Sequence, residues 1–354
     1  MSTQSDLRSL KYFEAIREAT QQEMQRDDRV FLMGLDVDDH KGIQGSTLGL
    51  VDEFGASRVF TTPLSEDAMT GVAIGAAMAG QRPIHAHIRM DFLLLCMNQL
   101  INIAAKSHYM YAGQVQVPMV IRTMIGKSWG QGGQHSQGLH SMFMHVPGIK
   151  IVAPSNAYDV KGCMIAAIRD NNPVVVMEHR LLYGTSSYVP EEPYEIEFGK
   201  ARVARSGGDV TIVGISSMQL EALRAAEILQ EKDISAEIID PISLSPLDSE
   251  TIIKSVRKTK RLVVVDSGWL TCGASAEIIT KVTEALSNEM TFSVKRIGFA
   301  EATCPTTPSL EDVFYPNSGT IAQVAYKMLH PNKEWCLDPS VVELAHEKEF
   351  KGPF

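Results

Sequence analysis

Cysteine is scarce in this chain: five residues in 354, at positions 96, 163, 272, 304 and 336, with no Cys-x-x-Cys pair. An odd, scattered set excludes a disulfide framework and points to reduced thiols in a cytoplasmic protein. Basic clusters are scarce too. The net charge is −9, and the one short run, Arg257-Lys-Thr-Lys-Arg261, reads as a solvated helix end before a strand. The clustered cations that a nucleic-acid surface needs are therefore missing. No stretch approaches the ~20 apolar residues of a membrane span. Met-Ser-Thr-Gln-Ser-Asp at the amino terminus lacks the apolar core of a signal peptide. Nucleotide signatures fail as well. Gly126-Lys-Ser128 suggests a phosphate loop, but that motif needs glycine at 121, which is Ile. No Gly-x-Gly-x-x-Gly follows the first strand, and no His-x-x-x-His or carboxylate pair has metal-ligand spacing.

What is present is a globular composition, 44% hydrophobic and 21% charged, in a chain long enough for two domains. The chain is organised around Thr61-Thr-Pro-Leu-Ser-Glu-Asp-Ala-Met-Thr-Gly-Val-Ala-Ile-Gly-Ala-Ala-Met-Ala-Gly80. Val59 to Thr62 is a β-branched strand signal ended by Pro63. Ser65 is placed to cap a helix of small residues running to Gly80. Gly71, Gly75 and Ala79 share one side of that helix, so another backbone can approach it. Glu66 stands in its first turn, where a carboxylate also simply favours the helix dipole.

Around this stretch, strand and helix signals alternate. Residues 9–26 are an amphipathic helix, and Val30-Phe-Leu-Met33 is a buried strand ending at Gly34-Leu-Asp36. Pro83-Ile-His-Ala-His-Ile88 is a strand, and Phe92 to Tyr111 one long helix. Pro118–Arg122, Lys150–Ala153 and Pro173–Met177 are strands, the last apolar throughout, as a strand buried on both faces should be. Such alternation predicts a parallel sheet in a three-layer α/β domain over residues 1–183. Residues 184–199 read as a linker. Strand signals at 210–214, 236–240, 261–266 and 292–297, interleaved with helices, predict a second and smaller α/β domain over 200–330. The tail, 331–354, has little periodicity and is expected to pack on a neighbouring chain.

Polar groups able to do chemistry converge where strands end: Glu66, the segment His85-Ala-His-Ile-Arg-Met-Asp-Phe92, and His135 in a loop of five glycines. Ligands of open parallel sheets sit at that edge. His135 has no core face to pack on, which favours a functional role. Arg89 and Asp91 could equally pair with each other. His85 and His87, read as alternating along a strand end, would put at most one of them at a site. His140, His145 and His179 read as structural.

At these residues a family resemblance emerges. Thr62-Pro-Leu-Ser-Glu66, Gly75-Ala-Ala-Met-Ala-Gly80, Gln134-His-Ser-Gln137 and Ala167-Ile-Arg-Asp-Asn-Asn-Pro-Val-Val-Val176 resemble the β subunits of thiamine-diphosphate-dependent 2-oxo acid dehydrogenases. Asp266-Ser-Gly-Trp and Gly273-Ala-Ser-Ala-Glu277 resemble that family's carboxyl-terminal domain. The resemblance implies two three-layer α/β/α domains, one of the pyrimidine-binding type and one like the transketolase carboxyl-terminal domain. It implies an α2β2 tetramer whose α subunit holds the diphosphate and Mg2+, acting on a small 2-oxo acid and passing the acyl group to a lipoyl acyltransferase. By carry-over, Glu66 bonds the pyrimidine ring nitrogen, Phe92 packs beside that ring, and His135 faces the substrate. Backbone carbonyls of Met119, Ala167, Asp170 and Asn172 match a structural monovalent-cation site of the K+ type.

The chain also departs from the family pattern. It lacks the Gly-Asp-Gly and later Asn that hold Mg2+, with only Gly207-Gly-Asp209 nearby, so half an enzyme is expected. Leu35 stands where dehydrogenase β subunits commonly have glutamate. His87-Ile-Arg-Met-Asp-Phe92 and Ile125-Gly-Lys-Ser-Trp-Gly-Gln-Gly look more like split, transketolase-like enzymes that transfer a two-carbon ketol unit between sugars. His87 and Arg89 would suit such a polar substrate. A non-catalytic scaffold subunit is the remaining alternative, against which Glu66 and His135 count.

Overall fold

The computed structural model describes residues 8–126, 130–338 and 342. Lys127, Ser128 and Trp129, within the glycine-rich loop, lie outside the described residues, as does most of the tail. The chain separates into two compact units: one runs to Ile125 and takes in Met142–Phe198, the other joins Gly126–Ser141 to the chain from Gly199 onward.

The first unit begins with β1 (Ser9–Lys11) and α1 (Tyr12–Arg26). It continues through β2 (Val30–Gly34), α2 (Leu50–Phe54), β3 (Val59–Thr61), α3 (Glu66–Met78), β4 (Arg82–His87), α4 (Ala105–Met110) and β5 (Val120–Ile125). After the short α5 (His140–Met144), whose first two residues are counted with the other unit, come β6 (Lys150–Val152), α6 (Ala157–Arg169), β7 (Val174–His179) and β8 (Ser186–Tyr188). Its main strands lie in the order β6-β7-β5-β4-β2-β3, every pair parallel. β5 and β7 are buried along their whole length, so their apolar runs are explained by helices covering both faces. β2 has β3 on one side and β4 on the other, which makes the β2/β4 boundary the point where chain order reverses.

Three local expectations are corrected. Ser65 precedes α3, but its side chain makes no capping hydrogen bond, with φ −154° and ψ 62°; its N–H goes instead to Pro63 O, 2.8 Å away. Helix α3 also stops short of Gly80. Gly80 takes φ +94°, and the bonds Gln81 N to Ala76 O (3.0 Å) and Gly80 N to Ala77 O (3.0 Å) close the helix in a glycine-ended turn. Finally, Phe92–Tyr111 is not one α-helix. Met90–Cys96 is a 3-10 helix and Asn98–Ala104 a π-helix, with α4 following. Met90, Leu93 and Cys96, all buried, recur every third residue, which is the period of the tighter helix.

The segment from 184 to 198, most of the expected linker, packs within the first unit. β8 pairs with β1 antiparallel, and Tyr194 stacks on Tyr158 with ring centroids 4.6 Å apart.

The second unit contains β9 (Arg202–Arg205), β10 (Val210–Gly214), α7 (Ser217–Gln230), β11 (Ala236–Asp240), β12 (Ser243–Ser245) and α8 (Ser249–Thr259). β13 (Arg261–Val265), α9 (Ala274–Leu286), β14 (Ser293–Ile297), α10 (Pro308–Phe314) and α11 (Ser318–Leu329) complete it. Its sheet runs β14-β13-β10-β11-β9, parallel except for the edge strand β9. Here order reverses between β10 and β13. Its core is formed by Val210, Ile212, Ile238, Val263 and Val265 of the sheet with Ala222, Leu229, Ile321 and Ala325 of α7 and α11. Of the tail expected to pack on a neighbouring chain, the apolar residues Trp335 and Leu337 pack on their own unit. Trp335 lies against Tyr326 (4.9 Å between ring centroids), and Trp335 and Leu337 cover the core cluster. Apolar side chains with open core surface beside them have no reason to wait for another chain.

Candidate active site

The carboxyl edge of the first sheet gathers Glu66, His87, Arg89 and Phe92. Glu66 is the first residue of α3 and is half-buried, and no ion pair among the described residues engages it. One turn further on, Thr70 Oγ1 lies 3.4 Å from His85 Nδ1. Cys96, also buried, has its thiol pushed up to about 11 by burial, with Thr70 opposing and the charges of Glu66 and Asp67 adding. Helix α3, the end of β4 and the 3-10 helix thus enclose one polar cluster.

His85 and His87 do not divide between two faces. Residues i and i+2 of a strand share a face, and the two rings stand 4.2 Å apart. Burial lowers His85 to about 4. Burial, and then the neighbouring His85, hold His87 well below the usual imidazole range. Both are neutral at physiological pH. His87 Nε2 is buried and has no hydrogen-bond partner among the described residues. Arg89, half-buried just beyond the strand, is lowered by burial, with Asp91 acting the other way. Phe92 is half-buried in the 3-10 helix that follows.

Beneath this edge lies a network that sequence reasoning missed. Arg122 on β5 makes a two-pronged pair with Glu178 on β7 (2.6 and 3.0 Å) and donates to Ser46 Oγ (2.8 Å); the Tyr183 hydroxyl also donates to Glu178. Both charged side chains are at most 2% exposed. Burial opposes the guanidinium charge, but Glu178 outweighs it and raises Arg122 above its ordinary value. The signal was available: opposite charges inside two apolar strand runs, Val120-Ile-Arg and Val176-Met-Glu, are expected to find each other.

The carbonyls expected around a monovalent cation sit at the opposite, amino-terminal side of β5 and β7. Met119 O accepts from Val174 N (3.0 Å), and Asp170 O accepts from Arg82 Nη1 (3.1 Å), so each keeps a lone pair. Ala167 lies in the last turn of α6, where carbonyls lack helical partners, and Asn172 three residues beyond its end. Among the described residues no group of three or more His, Cys, Asp and Glu side chains could hold a metal.

His135 belongs to the second unit and is half-buried, its N–H bonded to Gly132 O at 3.3 Å. Of the histidines read as structural, His179 accepts from Leu181 N, and His140 pairs with Asp266. No described helix is long and apolar enough to cross a membrane.

A family model for the pyrimidine-binding domain of transketolase matches residues 8–185, and one for the transketolase carboxyl-terminal domain matches 199–321. The chain belongs to the two-domain, thiamine-diphosphate-dependent family these models define, and within it to the β subunits of two-chain 2-oxo acid dehydrogenases. It is 42% identical to the β subunit of acetoin:2,6-dichlorophenolindophenol oxidoreductase of Cupriavidus necator, over 90% of this chain and 97% of that one. It is 40% identical to the β subunit of the pyruvate dehydrogenase E1 component of Rickettsia felis, with the same coverage. The Bacillus subtilis acetoin oxidoreductase β subunit is 40% identical over 91% of this chain and 98% of its own. A solved split-gene transketolase, an inactive β4 tetramer, shares the fold with a TM-score of 0.71 at 22% identity, covering 90% of this chain and 98% of its own.

Proposed function

We propose that Glu66, His87, Arg89, Phe92 and His135 are this subunit's contribution to an active site completed by an α subunit. The substrate is a small 2-oxo acid, cleaved beside its carbonyl. The observation that carries the reading is Glu66 itself: a half-buried carboxyl at the sheet's carboxyl edge, with no ion pair among the described residues and with Thr70, one turn on, lying beside the neutral His85. A carboxyl kept out of ion pairs is available to share a proton with a ligand's ring nitrogen, which offsets the cost of covering it.

Thiamine diphosphate, when bound, supplies an acidic ring carbon and an electron sink. Glu66 holds the proton shared with the pyrimidine nitrogen. Phe92 would offer its ring as a packing surface for that group, and His135 would hold or move a proton at the substrate oxygen. Neutral His87 offers an imidazole nitrogen to a polar substrate group, and Arg89 a guanidinium to its carboxylate. With Leu35 in place of glutamate, no proton passes through position 35. The carbonyls of Met119, Ala167, Asp170 and Asn172 hold a monovalent ion such as K+, while Mg2+ and the diphosphate belong to the α chain. The working assembly is a cytoplasmic α2β2 tetramer that hands its acyl product to a lipoyl acyltransferase.

The test is co-expression with an α-type partner, assaying 2-oxo acid-dependent dye reduction beside ketol transfer between sugars. Dye reduction without transfer is expected. Transfer without dye reduction would replace this reading with that of a split transketolase, and neither activity with a scaffold. Micromolar binding of thiamine diphosphate by the isolated chain would contradict the division of labour between subunits.

A further inference from the structure

His140 and Asp266 form a pair that the proposed chemistry does not use. His140 Nε2 lies 3.0 Å from the Asp266 carboxylate, and each side chain is 1% exposed. Asp266 directly follows β13, at the edge where β13 and β10 mark the reversal of the second sheet. His140 stands five residues after His135, at the end of the glycine-rich segment Gly126–Ser141, which is part of the second unit.

That segment is pressed onto its unit at several points. A Cβ on Gly138 would stand 1.7 Å from Ser267 O, one on Gly133 2.2 Å from Thr303 Cγ2, and one on Gly130 2.8 Å from Thr306 O. Ser136 Oγ donates to Gly132 O at 2.8 Å, closing a turn around His135. Close approach of main chain fixes how near the segment lies but resists sliding only weakly. The His140–Asp266 hydrogen bond is directional. It is also buried, where loss of either partner leaves a group that water cannot rescue.

We infer that His140, held by Asp266, is a positioning residue for His135: it fixes the register in which the His135 turn is mounted on the second unit. The inference rests on the proposed role of His135. A displacement of about 1 Å in a catalytic group costs on the order of 100-fold in rate, so a lost anchor is felt in turnover.

The test uses the assembled α–β enzyme and compares His140→Ala, His140→Gln and His140→Phe. His140→Ala should lower kcat at least tenfold with KM within twofold, and speed hydrogen exchange in residues 130–141 while exchange in β10 and β13 is unchanged. His140→Gln keeps a donor for Asp266 and should recover most of the kcat. Full kcat in His140→Ala, or a loss that Gln does not rescue, overturns the inference. Should the alanine variant fail to assemble, His140→Phe fills the same space without the bond, and full kcat in that variant overturns it equally. His135→Ala separates the two claims. If that variant keeps its turnover, the role of His135 fails, and the exchange measurement alone decides whether His140 holds the segment.

Discussion

The two sheets reverse chain order in the same way and differ in what they leave open at that point. At the carboxyl edge of the first, Glu66, Arg89 and Phe92 are half-buried, and Leu64, Val72, Leu94 and Leu95 around them are exposed. At the edge of the second, His140, Asp266, Ser216, Gln219 and Ser275 are all buried, and backbone meets backbone at Gly138 and Ser267. An edge that keeps apolar side chains in water around half-buried functional groups is built to be covered by another surface. The second edge is enclosed: His140 and Asp266 pair with each other, while Ser216 Oγ, the Gln219 amide and Ser275 Oγ are buried without a hydrogen-bond partner among the described residues. The difference separates residues open to a second surface from residues enclosed within the fold.

The largest expected effect tests the open edge. Glu66→Ala should lower turnover of the assembled enzyme by about 10²–10⁴-fold, with an unchanged melting curve for the isolated chain. Near-normal kcat would remove Glu66 from the mechanism and leave the first edge a docking surface only. The next effect falls on the support inside that same unit. Glu178→Leu strands the Arg122 guanidinium and the Tyr183 hydroxyl in the interior, and should destabilise the chain by about 3–5 kcal/mol in denaturant titrations. A loss below 1 kcal/mol would mean that the pair is hydrated and contributes little.

The alternation of strands and helices was legible because β-branched runs such as Val174-Val-Val and helices such as Ala274–Leu286 are decided locally. The ends were less so. Ser65 has a capping residue's chemistry, yet Pro63 turns the chain so that its N–H, not its side chain, is engaged. The switch from 3-10 to π to α over 90–110 follows from which side chains find the core, which no propensity scale contains. Of the candidate site, the placement of Glu66 at a helix start and of Arg89 beyond a strand end was legible. The shared face of His85 and His87 followed from strand periodicity and was misread. The Arg122–Glu178 pair and the His140–Asp266 pair join positions 56 and 126 residues apart, and only the folded sheets bring them together.

A smaller effect distinguishes the neutral histidines from solvated ones. An unfolded His85 takes up a proton near pH 6.5, whereas in the folded chain burial lowers it to about 4. The unfolded state therefore binds more protons between those values. Stability is complete above pH 6.5 and falls as the pH drops toward 4. From pH 7.5 to 5 the loss attributable to His85 is about 2 kcal/mol, and His85→Leu should flatten that slope in parallel denaturant titrations. An unchanged slope would mean that the imidazole is protonated in place, and that the cluster beside Glu66 is wetter than its burial implies.

The smallest effect is the most discriminating, because its sign should depend on the assembly. A Cβ added at Gly75, on the exposed side of α3, meets nothing within 4 Å, whereas one at Gly138 meets Ser267 O. Gly75→Ala should therefore stabilise the isolated chain by about 0.5–1 kcal/mol, the ordinary gain of alanine over glycine inside a helix. If the α subunit packs its backbone against Ala68, Val72, Gly75 and Ala79, the same methyl must weaken assembly even as it strengthens the fold. Melting of the isolated chain and sedimentation of the α–β mixture measure the two terms separately. A variant both more stable and equally well assembled would show that this face of α3 is not where the second chain comes close, and would move the proposed interface elsewhere on the open edge.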